Sequence, residues 1–64
     1  MASSPYMYKR FILPTGKVVE VRRVERGHNP EVVVREVNEH DQLAPRDDTL
    51  TLNFLLKHCK RALA

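Results

Sequence analysis

The chain is predicted to be an α+β domain: a three-stranded antiparallel β-meander with one C-terminal amphipathic helix packed on one face, in the order β-β-β-α. Three observations predict this. Valine recurs through residues 17–24 and 31–37, and β-branched side chains favour a pleated strand. Turn-forming residues separate these stretches, at Pro14, Thr15 and Gly16 and again at Gly27, His28, Asn29 and Pro30. Beyond residue 49 the apolar period changes from two to that of a helix.

The first strand spans residues 8–13, YKRFIL. Pro14 presets φ for a first turn position and Gly16 accepts the left-handed conformation at the third, which suits a three-residue hairpin loop. The loop sets Leu13 opposite Lys17, and then pairs Ile12 with Val18, Phe11 with Val19, Arg10 with Glu20, Lys9 with Val21 and Tyr8 with Arg22. An arginine facing a glutamate is the cross-strand charge pair a correct register produces. One face then carries Phe11, Leu13, Val19 and Val21 and is expected to be buried. The other carries Tyr8, Arg10, Ile12, Val18, Glu20, Arg22 and Val24.

The third strand is residues 31–37, EVVVREV. Pairing Arg26 with Val32 sets Arg22 opposite Glu36 and Val21 opposite Val37. That register buries Val33 and Val37 and leaves Val32, Val34 and Glu36 on the open face. With three consecutive valines, a slip of one residue exchanges the faces. Residues 38–48 form an acidic connector, and Asp47 or Asp48 is expected to cap the helix that follows.

That helix is expected over residues 49–63. Leu52, Leu55, Leu56, Cys59, Ala62 and Leu63 fall on one apolar stripe, which supplies a partner for the Phe11 and Val19 face. Leu50 and Phe54 border the stripe. Lys57, His58, Lys60 and Arg61 stand opposite, where cations near a helix C-terminus are favourable.

A chain of 64 residues makes one domain: residues 1–7 are expected as a disordered N-terminal arm and residues 8–64 as the folded unit. At this size only about 60% of the unfolded surface is hidden, so stability is marginal. Its single cysteine, Cys59, excludes an intramolecular disulfide and suits a reducing compartment. No secretory h-region or membrane-spanning run is present, and a cytoplasmic location is expected.

The formal net charge is +3, from 11 Lys and Arg against eight Asp and Glu. Residues 1–37 hold seven basic and four acidic groups, residues 38–48 one and four, and residues 49–64 three and none. The strands and the last segment are basic, a distribution that favours a polyanion.

Catalytic chemistry finds little support. Ser3 and Ser4 lie in the arm, both glycines serve turns, and no phosphate loop is present. His58 and Cys59 diverge by about 100° on a helix, so they do not share a face as nucleophile and base would. His40 stands between Glu39 and Asp41, but adjacent loop residues rarely converge on one ion. No catalytic residue, metal site, cofactor or small-molecule substrate is therefore expected.

The sequence points to a small, non-enzymatic accessory or regulatory binding protein that meets nucleic acid through its open sheet face. Tyr8, Arg10, Lys17, Arg22 and Arg26 are the expected contacts, with Lys57, Lys60 and Arg61 reaching a neighbouring phosphate. The alternative partner is another protein or a second copy, met through Ile12, Val18, Val24, Val32 and Val34 or through an edge strand.

Overall fold

The computed structural model describes residues 5–62. Five strands form one antiparallel sheet: β1 (Arg10–Ile12), β2 (Val18–Glu25), β3 (Glu31–Val37), β4 (Asp48–Thr51) and β5 (Lys60–Arg61), with helix α1 (Leu52–His58) between the last two. The spatial order is β4-β3-β2-β1-β5. The α+β class and the meander over the first three strands agree with expectation; the sheet has two further strands.

The first hairpin has the expected register, with Arg10 opposite Glu20, Phe11 opposite Val19 and Ile12 opposite Val18. Gly16 takes φ 94°, the left-handed turn position that a side chain would strain. Leu13 donates its amide to the Lys17 carbonyl at 2.7 Å and accepts from Gly16 at 2.8 Å.

Pairing of β2 with β3 differs from expectation. Val18 faces Val37, Val19 faces Glu36 and Val21 faces Val34; the register then shifts, so that Arg23 faces Val33 and Val24 faces Val32. Arg22 is the extra residue of a bulge. Val19, Val21 and Val24 are spaced by two and then three, and one inserted residue brings all three to the same face. Val32 and Val34, expected on the open face, are instead core residues at 0% and 1% exposure. Val33 and Val37 are also buried but lie outside the main core cluster.

The last quarter of the chain differs most. In place of a helix over residues 49–63 there is a seven-residue helix flanked by two short strands. Asp48–Thr51 pairs with β3 and Lys60–Arg61 with β1. A three-stranded sheet leaves two rows of unpaired backbone groups at its edges, and pairing them outweighs extending the helix. The cap is Thr51, whose hydroxyl accepts from the Phe54 amide at 3.1 Å; Asp48 lies in β4, and Asp47 is bonded to Arg35 instead. Cys59 is extended, at φ −105° and ψ 147°, and ends the helix. Leu63 lies outside the described residues.

α1 connects opposite edges of the sheet. Four strand spacings in a flat sheet would measure about 19 Å, whereas a seven-residue helix advances about 10 Å. The sheet therefore curls around α1, and the two shorter dimensions of the molecule, 24 and 22 Å, are nearly equal. Phe11, Val19, Val21, Val32, Val34 and Leu55 make the core inside the curl. Leu55 is the one fully buried residue of α1, at 0% exposure, while Leu56, expected in the stripe, is 50% exposed.

Of the arm expected over residues 1–7, residues 1–4 lie outside the described residues. Pro5 opens a turn through Tyr8, in which Tyr6 packs against the core and Met7 is half-buried.

Candidate nucleic-acid interface

Tyr8 occupies an unusual backbone position. Lys9 donates its amide to the Tyr6 carbonyl at 3.1 Å, closing a four-residue turn whose third residue is Tyr8, at φ 61°. That turn position ordinarily takes glycine or asparagine. An aromatic residue held there costs about 1–2 kcal/mol relative to the right-handed conformation. Two bonds across to β2 fix the segment: the Tyr8 amide donates to the Val21 carbonyl at 2.8 Å, and the Val21 amide donates to the Lys9 carbonyl at 2.9 Å. Tyr8 is left 61% exposed.

Beside it, on the convex face of the sheet, lies a chain of paired charges. Glu20 is 9% exposed. Its carboxylate accepts from Arg10 Nε at 3.1 Å through one oxygen and from Arg22 Nη1 through the other. Arg10 also donates to Asp41, and these two carboxylates raise the arginine pKa further, Asp41 contributing most. The Arg22 guanidinium in turn sits 5.2 Å from the centre of the Tyr8 ring, within the range of cation–π attraction. A buried carboxylate thus fixes two arginines, and one of these braces the exposed tyrosine.

Asp41 reaches Arg10 from a compact turn. The Asn38 side-chain oxygen accepts from the amides of His40 and Gln42 at 2.8 and 3.0 Å, and Asp41 takes φ 65°.

β5 adds cations at the β1 edge. Lys60 stands opposite Ile12 and Arg61 opposite Phe11; the Arg61 guanidinium lies 5.9 Å from the centre of the Phe11 ring. The Ala62 amide donates to the Arg10 carbonyl at 2.9 Å. Tyr8, Lys9, Arg10, Glu20, Asp41, Arg61 and Ala62 line one open depression of about 660 Å³.

The proposed contacts from the sequence are thus only partly gathered. Tyr8, Arg10, Arg22 and Arg61 meet around Glu20 and the depression, with Lys60 beside them on β5 and Lys57 in the last turn of α1. Lys17 lies at the hairpin end, 3.7 Å from Glu36, and Arg26 is exposed in the turn after β2. Lys9 was not among the expected contacts, although it lies between Tyr8 and Arg10 in the sequence. Alternation sets it opposite Val21, on the Phe11 face, yet at this end of the strand it lines the depression.

The alternative apolar interface is much reduced. Val32 and Val34 are core, and Val24 is half-buried against the core. The bulge and the register produce this change. Ile12, 36% exposed, and the half-buried Val18 remain at the surface.

Lys9, Arg10 and Arg61 line the depression with two carboxylates, Glu20 and Asp41, and Arg22 and Lys60 stand beside it, so cations outnumber carboxylates there. Glu36 and Glu39 lie on the other side of Arg10 and Asp41. Among the described residues, no cluster of three or more His, Cys, Asp or Glu is placed to hold a metal ion, and no helix is long and apolar enough to cross a membrane.

No family model, curated protein or solved structure matches this chain.

Proposed function

We propose that this chain is a small non-enzymatic binding protein of a reducing cytoplasm that takes nucleic acid on the β1–β5 side of its sheet. What supports the reading is the concentration of positive charge there beside an exposed aromatic ring. Lys9, Lys57 and Lys60 are exposed and, among the described residues, have no carboxylate within ion-pair distance. Arg61 lies over the Phe11 ring and is in no ion pair among the described residues. These four cations meet phosphates, while Arg10 and Arg22, already held by Glu20, serve mainly to shape the surface. The role assigned to Lys17 and Arg26 on sequence grounds becomes peripheral.

The test is binding of a fluorescently labelled 12-nucleotide thymidine strand by anisotropy, at 50 and 200 mM salt. With four phosphates neutralised on a single strand, log K falls with log salt at a slope of about −2.8, a loss of about 50-fold between these concentrations. Replacing Lys60 and Arg61 together by glutamate abolishes binding. Absence of binding at 50 mM salt, or unchanged affinity in the charge-reversed protein, would overturn the proposal.

A further inference from the structure

We infer that Tyr8 is a stacking platform for one unpaired base, so that the ligand of this surface is single-stranded nucleic acid rather than a duplex. The inference rests on the proposed function and adds the chemical form of the ligand.

Three observations converge on Tyr8. Its backbone is held at φ 61°, in a turn position where glycine relieves strain and an aromatic residue does not. Hydrogen bonds at 2.8 Å to Val21 and 3.1 Å between Lys9 and Tyr6 keep it there. The side chain delivered by this geometry is 61% exposed, so little of the cost is recovered by burial. Its ring is nevertheless supported: the Arg22 guanidinium lies 5.2 Å from the ring centre and is itself bonded to buried Glu20. A strained, braced and exposed ring, placed at a depression that Lys9 and Arg61 also line, is suited to a flat apolar ligand that carries negative charge on either side.

A base in a single strand has that form. Its π-face is open to an aromatic side chain, and its flanking phosphates lie within reach of nearby cations. In a duplex, each base is already covered above and below by its neighbours, so Tyr8 would have no face to meet. Stacking is tolerant of sequence because every base has a π-face, so the preference concerns strandedness and the presence of bases rather than their order.

The experiment compares three 12-nucleotide probes at 50 mM salt: a thymidine strand, a strand of the same phosphodiester length lacking bases, and a mixed-sequence duplex. The wild-type protein is expected to bind the thymidine strand about tenfold more tightly than the abasic strand, the effect of one stacked base. Tyr8→Phe keeps that preference. Tyr8→Gly fits the left-handed turn and removes the preference, so that thymidine and abasic strands bind alike.

Equal wild-type affinity for thymidine and abasic strands would overturn the inference while leaving the phosphate-binding proposal standing, provided both remain salt-sensitive. Tighter binding of the duplex than of the thymidine strand would also overturn it. Failure of every probe to bind would remove the proposed function itself. The wild-type comparison needs no variant, so it decides the matter even if a substitution unfolds the protein.

Discussion

Replacing Glu20 and Asp41 together by glutamine and asparagine should convert two structural arginines into ligand contacts. Glu20 bonds both Arg10 and Arg22, and Asp41 bonds Arg10; the amides keep the shape and remove the charge. Of the cations assigned to the proposed surface, Lys9, Lys57, Lys60 and Arg61 are in no ion pair among the described residues, and the double substitution raises that number from four to six. For a single strand the salt slope steepens from about −2.8 to about −4.2, so that the loss between 50 and 200 mM salt grows from about 50-fold to about 300-fold. The buried position of Glu20 makes the change costly, at about 1–3 kcal/mol for weakened charge-assisted hydrogen bonds. A domain of this size has about 3–10 kcal/mol to lose. Thermal unfolding by circular dichroism would first establish that the variant is folded at 15 °C, and anisotropy at four salt concentrations would then give the slope. Asp41→Asn alone, at an exposed turn, leaves both arginines bonded to Glu20 and should keep the slope near about −2.8 with little stability lost. An unchanged slope in the folded double variant would refute the reasoning, because it would mean that neither arginine lies within reach of a bound strand.

Three further outcomes follow from the packing and from the titrating groups. Leu55→Ala empties the centre of the core, where Leu55 is 0% exposed; a cost of about 3 kcal/mol lowers Tm by about 12–24 °C, and a shift under 5 °C would mean that α1 is not the lid of the core. The hydrogen bond from Arg35 holds the Asp47 carboxyl below its ordinary value of 3.8. Its contribution to stability is complete above that value and is lost as pH falls through the lower folded one, so Asp47→Asn should flatten Tm against pH below about pH 4; identical acid profiles would contradict this. Burial pushes the Cys59 thiol above its ordinary pKa, and alkylation by iodoacetamide at pH 7.5 should be slower in the native protein than in urea, with equal rates counting against it.

The first hairpin was legible because local chemistry specifies it. Pro14 and Gly16 set the loop, and the loop sets every pair from Leu13–Lys17 to Arg10–Glu20. The next pairing was not, because its register depends on the bulge at Arg22. The signal was present in the spacing of Val19, Val21 and Val24, which breaks strict alternation by one residue. Helical periodicity from Leu52 to Cys59 correctly marked α1 but could not locate its ends. Thr49, Leu50 and Thr51 suit either continuation, and the open edge of β3 decides between them. At the candidate site, Arg10 and Glu20 were visible as a cross-strand pair. Asp41 was not, since it arrives from a turn 31 residues away. Nor does any sequence rule place a tyrosine where a turn ordinarily takes glycine; that feature belongs to the tertiary bonds between Tyr8, Lys9 and Val21.

The most direct test of nucleic-acid binding on the β1–β5 side is a backbone-amide NMR titration with the thymidine strand, at 50 and then 200 mM salt. Shifts that cluster on Tyr8, Lys9, Arg10, Lys60 and Arg61, and that weaken at the higher salt, are the expected result. Shifts centred on the acidic turn and β4, or none at 50 mM salt, would contradict it.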